Sequence, residues 1–116
     1  MPTISIKSSG DISEEGALAE LEQMGFHGFA DDAMGKAEDL HWHDFDAIAY
    51  VISGEASAEL ADGTVITAGA GTVVRVPRGT VHKDVPGNTY RRVLGFSIPL
   101  SEMTEPIDRP VELLPA

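Results

Sequence analysis

From about residue 36 onward the chain is written in short β-type runs, each closed by Gly, Pro or a tight polar turn. Residues 47–52 form one such run, ended at Gly54, and residues 56–60 form the next. Ala61-Asp62-Gly63 is a turn, so 55–60 and 64–67 are expected to pair as a hairpin. Ala68-Gly69-Ala70-Gly71 breaks the chain before 72–76, which Pro77 terminates because proline has no N–H for a ladder. Residues 81–85, 90–98 and 3–7 complete the set. Strands this short hide their apolar faces only by stacking sheet on sheet or by closing on themselves. The pattern therefore predicts an all-β sandwich or barrel.

One helix interrupts this texture, over about 13–24. Ser13 can accept from the unpaired N–H groups of the first turn, and Glu14 and Glu15 sit at the positive end of the helix dipole. Leu18, Leu21 and Met24 recur at three-residue spacing, with Gly25 placed to end the helix. This is a short amphipathic helix laid on something larger, its stripe destined for the core. The tail from Pro99, with Pro106, Pro110 and Pro115, is expected to run extended on the surface or across a neighbour. At 116 residues without internal repeats, a single domain spanning 1–116 is expected.

Charge narrows the partners. The formal net charge is −11, which opposes a polyanion, so nucleic acid is not an expected partner. No apolar run has the length of a membrane span, and the first residues lack the organisation of a signal peptide. The expected class is a soluble cytoplasmic protein. The acid is concentrated in residues 1–46, net −9, against −2 for residues 47–116. Arg75, Arg78, Lys83, Arg91 and Arg92 cluster within the later half. That split reads either as two differently solvated faces or as arginines placed beside an anionic ligand. With no cysteine there is neither a disulfide nor a thiolate site, and histidine nitrogen is the ligand type a transition-metal site in this chain would use.

Three of the four histidines stand in suggestive places. On a strand, His41 and His43 share one face and Trp42 takes the other. Taken alone, that pair is either half of a metal site or two surface residues on an edge strand. Its surroundings are Gly35, with five residues between it and His41, and Gly54 after the following strand. Further on, 71–82 reads Gly-x5-Pro-x-Gly-x2-His, ending at His82. These two stretches, spanning 35–86, closely resemble the two signature motifs of the cupin superfamily. The short spacing between Gly54 and Gly71 is similar to that of its small microbial single-domain members.

The resemblance implies a jelly-roll β-barrel holding one divalent transition metal (Fe, Mn, Ni, Cu or Zn). His41 and His43 would be the first ligand pair, and His82 the third, arriving from the other side of the site. It also implies open coordination positions for a small-molecule ligand. The leading functional expectation is an oxygenase-like enzyme acting on a chelating anionic substrate. The alternative is a non-catalytic binding or sensor module. The family's glutamate position is Ala47 here; Asp46 is the nearest substitute but has the wrong strand parity, so ligation would need a bulge. Arg75 and Arg92 are candidates to pair with a ligand carboxylate; of the consecutive Arg91 and Arg92, at most one faces inward. Tyr50 either covers the core or closes the pocket. His27 reads as a surface or capping residue. Small barrels of this family pair through sheet edges, so a homodimer is expected, with the first strand or the Pro-rich tail as the bridging element.

Overall fold

The computed structural model describes residues 2–115. In chain order its elements are β1 (Ser5–Ser8), α1 (Glu14–Gln23), β2 (His27–Met34), β3 (His41–Trp42), β4 (Ala47–Leu60), β5 (Val65–Gly69), β6 (Thr72–Val76), β7 (His82–Asp84), β8 (Thr89–Phe96) and β9 (Arg109–Pro110). Two 3-10 turns, Leu100–Glu102 and Val111–Leu113, shape the tail. All pairings are antiparallel. One sheet runs β1-β6-β4-β8-β2 and the other β5-β4-β7-β3-β9.

The two sheets share β4, and Gly54 explains how. The composition suggests a break there, yet the strand continues for 14 residues. Its first part, from Ala47, pairs with β6 and β8; its last part, to Leu60, pairs with β5 and β7. Gly54 has φ +78°, and a Cβ there would stand 2.3 Å from the Thr89 carbonyl oxygen. The register with β8 slips between Val51 and Ser53. A glycine and a bulge thus bend the strand from one sheet into the other instead of ending it.

β2 has little intrinsic strand preference, since Asp31 and Asp32 lie mid-strand between alanines. It is held by an eight-residue ladder to β8, from His27↔Phe96 to Met34↔Thr89. Tertiary pairing here overrides local composition. His27 opens that strand and is exposed.

The helix is capped as its sequence requires: the Gly16 N–H donates to Ser13 Oγ at 3.0 Å. Its buried face is Ala17 and Leu21, with Leu18 half-buried; Met24 lies just past the last turn and is exposed. Leu21 is fully buried, and removing such a side chain from water stabilises by about 1.5–3 kcal/mol. Helix and sheet enclose a cluster of Ala17, Leu21, Ile48, Tyr50 and Val93. Gly95 of β8 lies directly beneath: a Cβ there would meet Leu21 Cδ1 at 2.8 Å. That face of the first sheet is therefore sealed by α1. The alternate residues of β8, including Phe96, face the other way, where Phe96 meets Phe45 at 5.1 Å between ring centroids.

The tail does not leave the molecule. Pro99 to Pro110 turns back, and β9 adds to β3 as an edge strand with Trp42↔Arg109 and His41↔Pro110 in register.

Candidate metal centre

His41 and His82 sit directly opposite each other on β3 and β7. His82 therefore comes from the adjacent paired strand, not from across the site. His43 follows β3 and, two residues on, returns to the same face. Ring centroids lie 4.7 Å apart for His41–His82, 5.0 Å for His41–His43 and 5.2 Å for His43–His82. One nitrogen from each ring lies within 4.8 Å of the others.

The opposite nitrogens show which way the rings present themselves. His41 Nδ1 donates to the Asp39 carbonyl at 2.9 Å, His43 Nδ1 to the Ile107 carbonyl at 3.0 Å, and His82 Nδ1 to the Thr80 carbonyl at 2.9 Å. A carbonyl only accepts, so each Nδ1 carries the proton and each neutral ring offers a bare Nε2 lone pair. Backbone acceptors of this kind fix tautomer and orientation in histidine metal sites. Burial favours the same neutral form. His82 is buried, and loss of hydration lowers its pKa from the ordinary 6.5 to about 4. Burial also lowers the His43 pKa, with neighbouring His41 adding to the effect. Three oriented imidazoles, two of them buried and His43 half-buried, suit a divalent transition ion, and the cluster can hold one.

Phe45 stacks on His43 at 5.2 Å between centroids, so one side of the centre is apolar. The other side carries carboxylates that motif spacing did not single out. Glu38 Oε2 is 3.8 Å from His41 Nδ1, and Glu38 Oε1 accepts from the Asp84 N–H at 2.8 Å. Asp84 shares strand parity with His82, and burial followed by the Glu38 charge raises its pKa. Asp108, in the tail, lies 3.9 Å from His41 Nε2. Only Asp84 had a signal in the sequence, its i+2 relation to His82. Glu38 lies before its strand, and Asp108 is 65 positions beyond His43.

The remaining candidates lie elsewhere. Asp46 Oδ1 accepts from the Arg78 N–H at 2.7 Å, and its N–H donates to Ser97 Oγ at 2.9 Å. Its carboxylate is thereby tied into a turn outside the histidine cluster; residues 43–46 lie between β3 and β4 and not on a strand, so the expected alternation does not apply to them. Ala47, at the motif's carboxylate position, is buried and has no ligating atom. Tyr50 and Arg75 face α1, on the side of the sheet away from Phe96. The Tyr50 hydroxyl donates to Glu20 Oε2 at 2.7 Å, and burial and that carboxylate push its pKa up to about 12. With Arg75 it lines an outer groove of about 580 Å³ between α1, β1 and β6. Arg91 and Arg92 do part company as consecutive strand residues must. Arg91 pairs with Glu14 of the helix. Arg92 faces away from the helix but is bound bidentately by Asp31, at 2.8 and 3.2 Å. It is not a free cation.

A family model for the cupin domain matches residues 29–85. No curated protein matches the chain at a significant level. Among solved structures, a Neisseria meningitidis protein is similar, with 22% identity and a TM-score of 0.55, the match covering 73% of this chain and 96% of that one. A DUF861 family protein from Thermotoga maritima shares 17% identity with a TM-score of 0.52, over 79% of this chain and 97% of that one. A cupin-2 domain containing protein from Shewanella frigidimarina shares 19% identity with a TM-score of 0.52, over 78% and 76%. At these identities the likeness speaks to the fold. Since the family model covers the stretch that carries all three histidines, the chain belongs to the cupin superfamily, as a small domain with its jelly-roll β fold.

Proposed function

We propose that this cupin holds one divalent transition metal through the Nε2 atoms of His41, His43 and His82 and uses it to bind and turn over a small chelating anion. The observation that carries this reading is the set of three Nδ1–H donations to backbone carbonyls, which leaves each Nε2 with its lone pair on rings whose nitrogens lie within 4.8 Å of one another. A bound ion would supply Lewis acidity and open coordination positions, the setting of oxygenase chemistry. The protein supplies the rest. Phe45 keeps one side dry, and because the His82 pKa is lowered by burial, no proton competes with the ion for its lone pair near neutral pH. Because Arg92 is committed to Asp31, an anion is recognised by the ion itself and not by a waiting guanidinium.

A second reading, a non-catalytic small-molecule or metal holder, is favoured by the carboxylates of Glu38 and Asp108 beside His41, which can occupy positions a substrate would need. Elemental analysis of protein purified without an affinity tag comes first. About one equivalent of transition metal is expected; less than roughly a tenth, unchanged on reconstitution, refutes metal binding altogether. His82→Ala is expected to abolish binding with the far-UV CD spectrum retained. Oxygen uptake by the loaded protein across small carboxylates and diketones separates the two readings. Uptake with any of them supports the enzyme, and none across the panel favours the holder.

A further inference from the structure

The three histidines of the centre are not held alike. His41 Nδ1 donates to the Asp39 carbonyl and His82 Nδ1 to the Thr80 carbonyl, each two residues earlier in its own stretch of chain. Those rings are oriented by the segments that carry them. His43 has no such local acceptor among the described residues. Its Nδ1 donates to the Ile107 carbonyl at 3.0 Å, 64 positions away, and Asp108 Oδ1 stands 3.5 Å from the same nitrogen. The N–H edge of His43 therefore meets two oxygens of the C-terminal tail, and both favour the proton on Nδ1.

The stretch that supplies them is fastened just beyond. Trp42 Nε1 donates to the Pro110 carbonyl at 3.0 Å, and the Arg109 guanidinium lies 5.6 Å from the centroid of the Trp42 ring. Arg109 also reaches Thr104 and Asp44. Residues 107–110 thus form a strap along Trp42 and His43. Its hold is small: β9 is two residues long, and Val111 and Leu113, which follow it, are 41% and 58% exposed. A segment with so few buried contacts opens locally, without unfolding the barrel. When it opens, His43 loses the acceptor that fixes its tautomer and ring direction, while His41 and His82 keep theirs. Without that acceptor the proton of the neutral ring is free to move to Nε2, where it blocks the lone pair an ion needs.

We infer that docking of residues 107–110 sets His43 in its ligating state, so that the tail controls the affinity of the centre and a bound ion in turn holds the tail down. The inference rests on the metal-binding reading and adds to it a control element outside the motif region. The ion is held by the histidines; Ile107 and Asp108 are positioning residues that act through His43. By linkage the two effects are equal: whatever factor docking adds to ion affinity, the ion adds to docking. Loss of an outer partner of a metal-ligating histidine costs roughly 10- to 100-fold in affinity.

The test uses the full-length, tag-free protein. Co²⁺ affinity is read by calorimetry, tail opening by the rate of proteolysis within residues 99–106, and ring tautomers by nitrogen NMR of the metal-free state. In the wild type all three rings should show the Nδ1–H tautomer, and saturating Co²⁺ should slow cleavage by roughly 10- to 100-fold. Arg109→Ala, which alters no histidine contact directly, should speed cleavage and weaken Co²⁺ binding by up to the same factor. In that variant His43 alone should become a mixture of tautomers. Cleavage unchanged at saturating Co²⁺ would overturn the inference while leaving the histidine site standing. So would a faster-cut Arg109→Ala with wild-type affinity and tautomers. No Co²⁺ binding by the wild type would remove the metal-binding reading and this inference together.

Discussion

The lowered pKa of His82 makes the stability of the metal-free protein depend on pH in a defined direction. Above the ordinary pKa of 6.5 the ring is neutral in both folded and unfolded chains and contributes no pH dependence. Between 6.5 and about 4 the unfolded chain binds a proton that the folded chain, with its desolvated ring, does not. The unfolded state then holds more protons, so stability falls as the pH falls. Below about 4 both states are protonated and the loss levels off. One proton corresponds to about 1.4 kcal/mol per pH unit, and the whole window to roughly 3 kcal/mol. The lowered pKa of His43 adds in the same direction, whereas the raised pKa of Asp84 acts in the opposite one, so the wild-type curve alone does not isolate His82. His82→Asn does, because its amide can donate to the Thr80 carbonyl in place of Nδ1 without titrating. Urea unfolding in chelator at about pH 7.5, 6.5, 5.5 and 4.5 is expected to show a steeper acid loss in the wild type, by up to one proton's worth of slope. Parallel curves with equal m-values would refute the argument that this ring is held neutral by burial.

Three further outcomes test the placement of other groups. Tyr50→Phe should lose about 1 kcal/mol through its hydrogen bond to the exposed Glu20, and Co²⁺ affinity should not move; a weakened site in calorimetry would put Tyr50 back near the ligand. Gly95→Ala should cost about 1–3 kcal/mol by pressing on Leu21, and Leu21→Ala about 2–5 kcal/mol. The double variant should cost less than their sum, since each relieves the other, and additive urea midpoints would show that the two do not touch. Trp42→Phe removes the donor to Pro110 and should cost about 1 kcal/mol while speeding proteolysis within residues 99–106; an unchanged cleavage rate would show that the strap is held by other contacts.

What could be read ahead of the structure had a local physical basis. Gly and Pro end or bend strands by their own backbone chemistry, so the succession of short runs was visible, including the turn at 61–63. Strand parity divided Arg91 from Arg92, whereas Asp46 lies in the loop between β3 and β4, where parity does not operate, and its carboxylate is held by the Arg78 N–H. Parity states that two residues share a face but not which face meets α1. That is why Tyr50 and Arg75, as candidates for the pocket, lie on the outer groove. Gly54 read as a stop because one residue cannot show whether the chain beyond it changes sheet. β2 was invisible because its strand character comes from β8 and not from its own side chains.

By itself the sequence determined the β texture, the capped helix and the histidine triplet, because turn formation, capping and strand alternation act over a few residues. Only the tertiary structure decided how those nitrogens point and what else stands beside them. The carbonyls that orient the rings, and the carboxylates of Glu38 and Asp108, come from separate stretches brought together by strand pairing. The tail illustrates the difference most sharply. Its prolines announce an extended segment, but only the β3–β9 ladder turns that segment into a strap that carries Asp108 to the histidines.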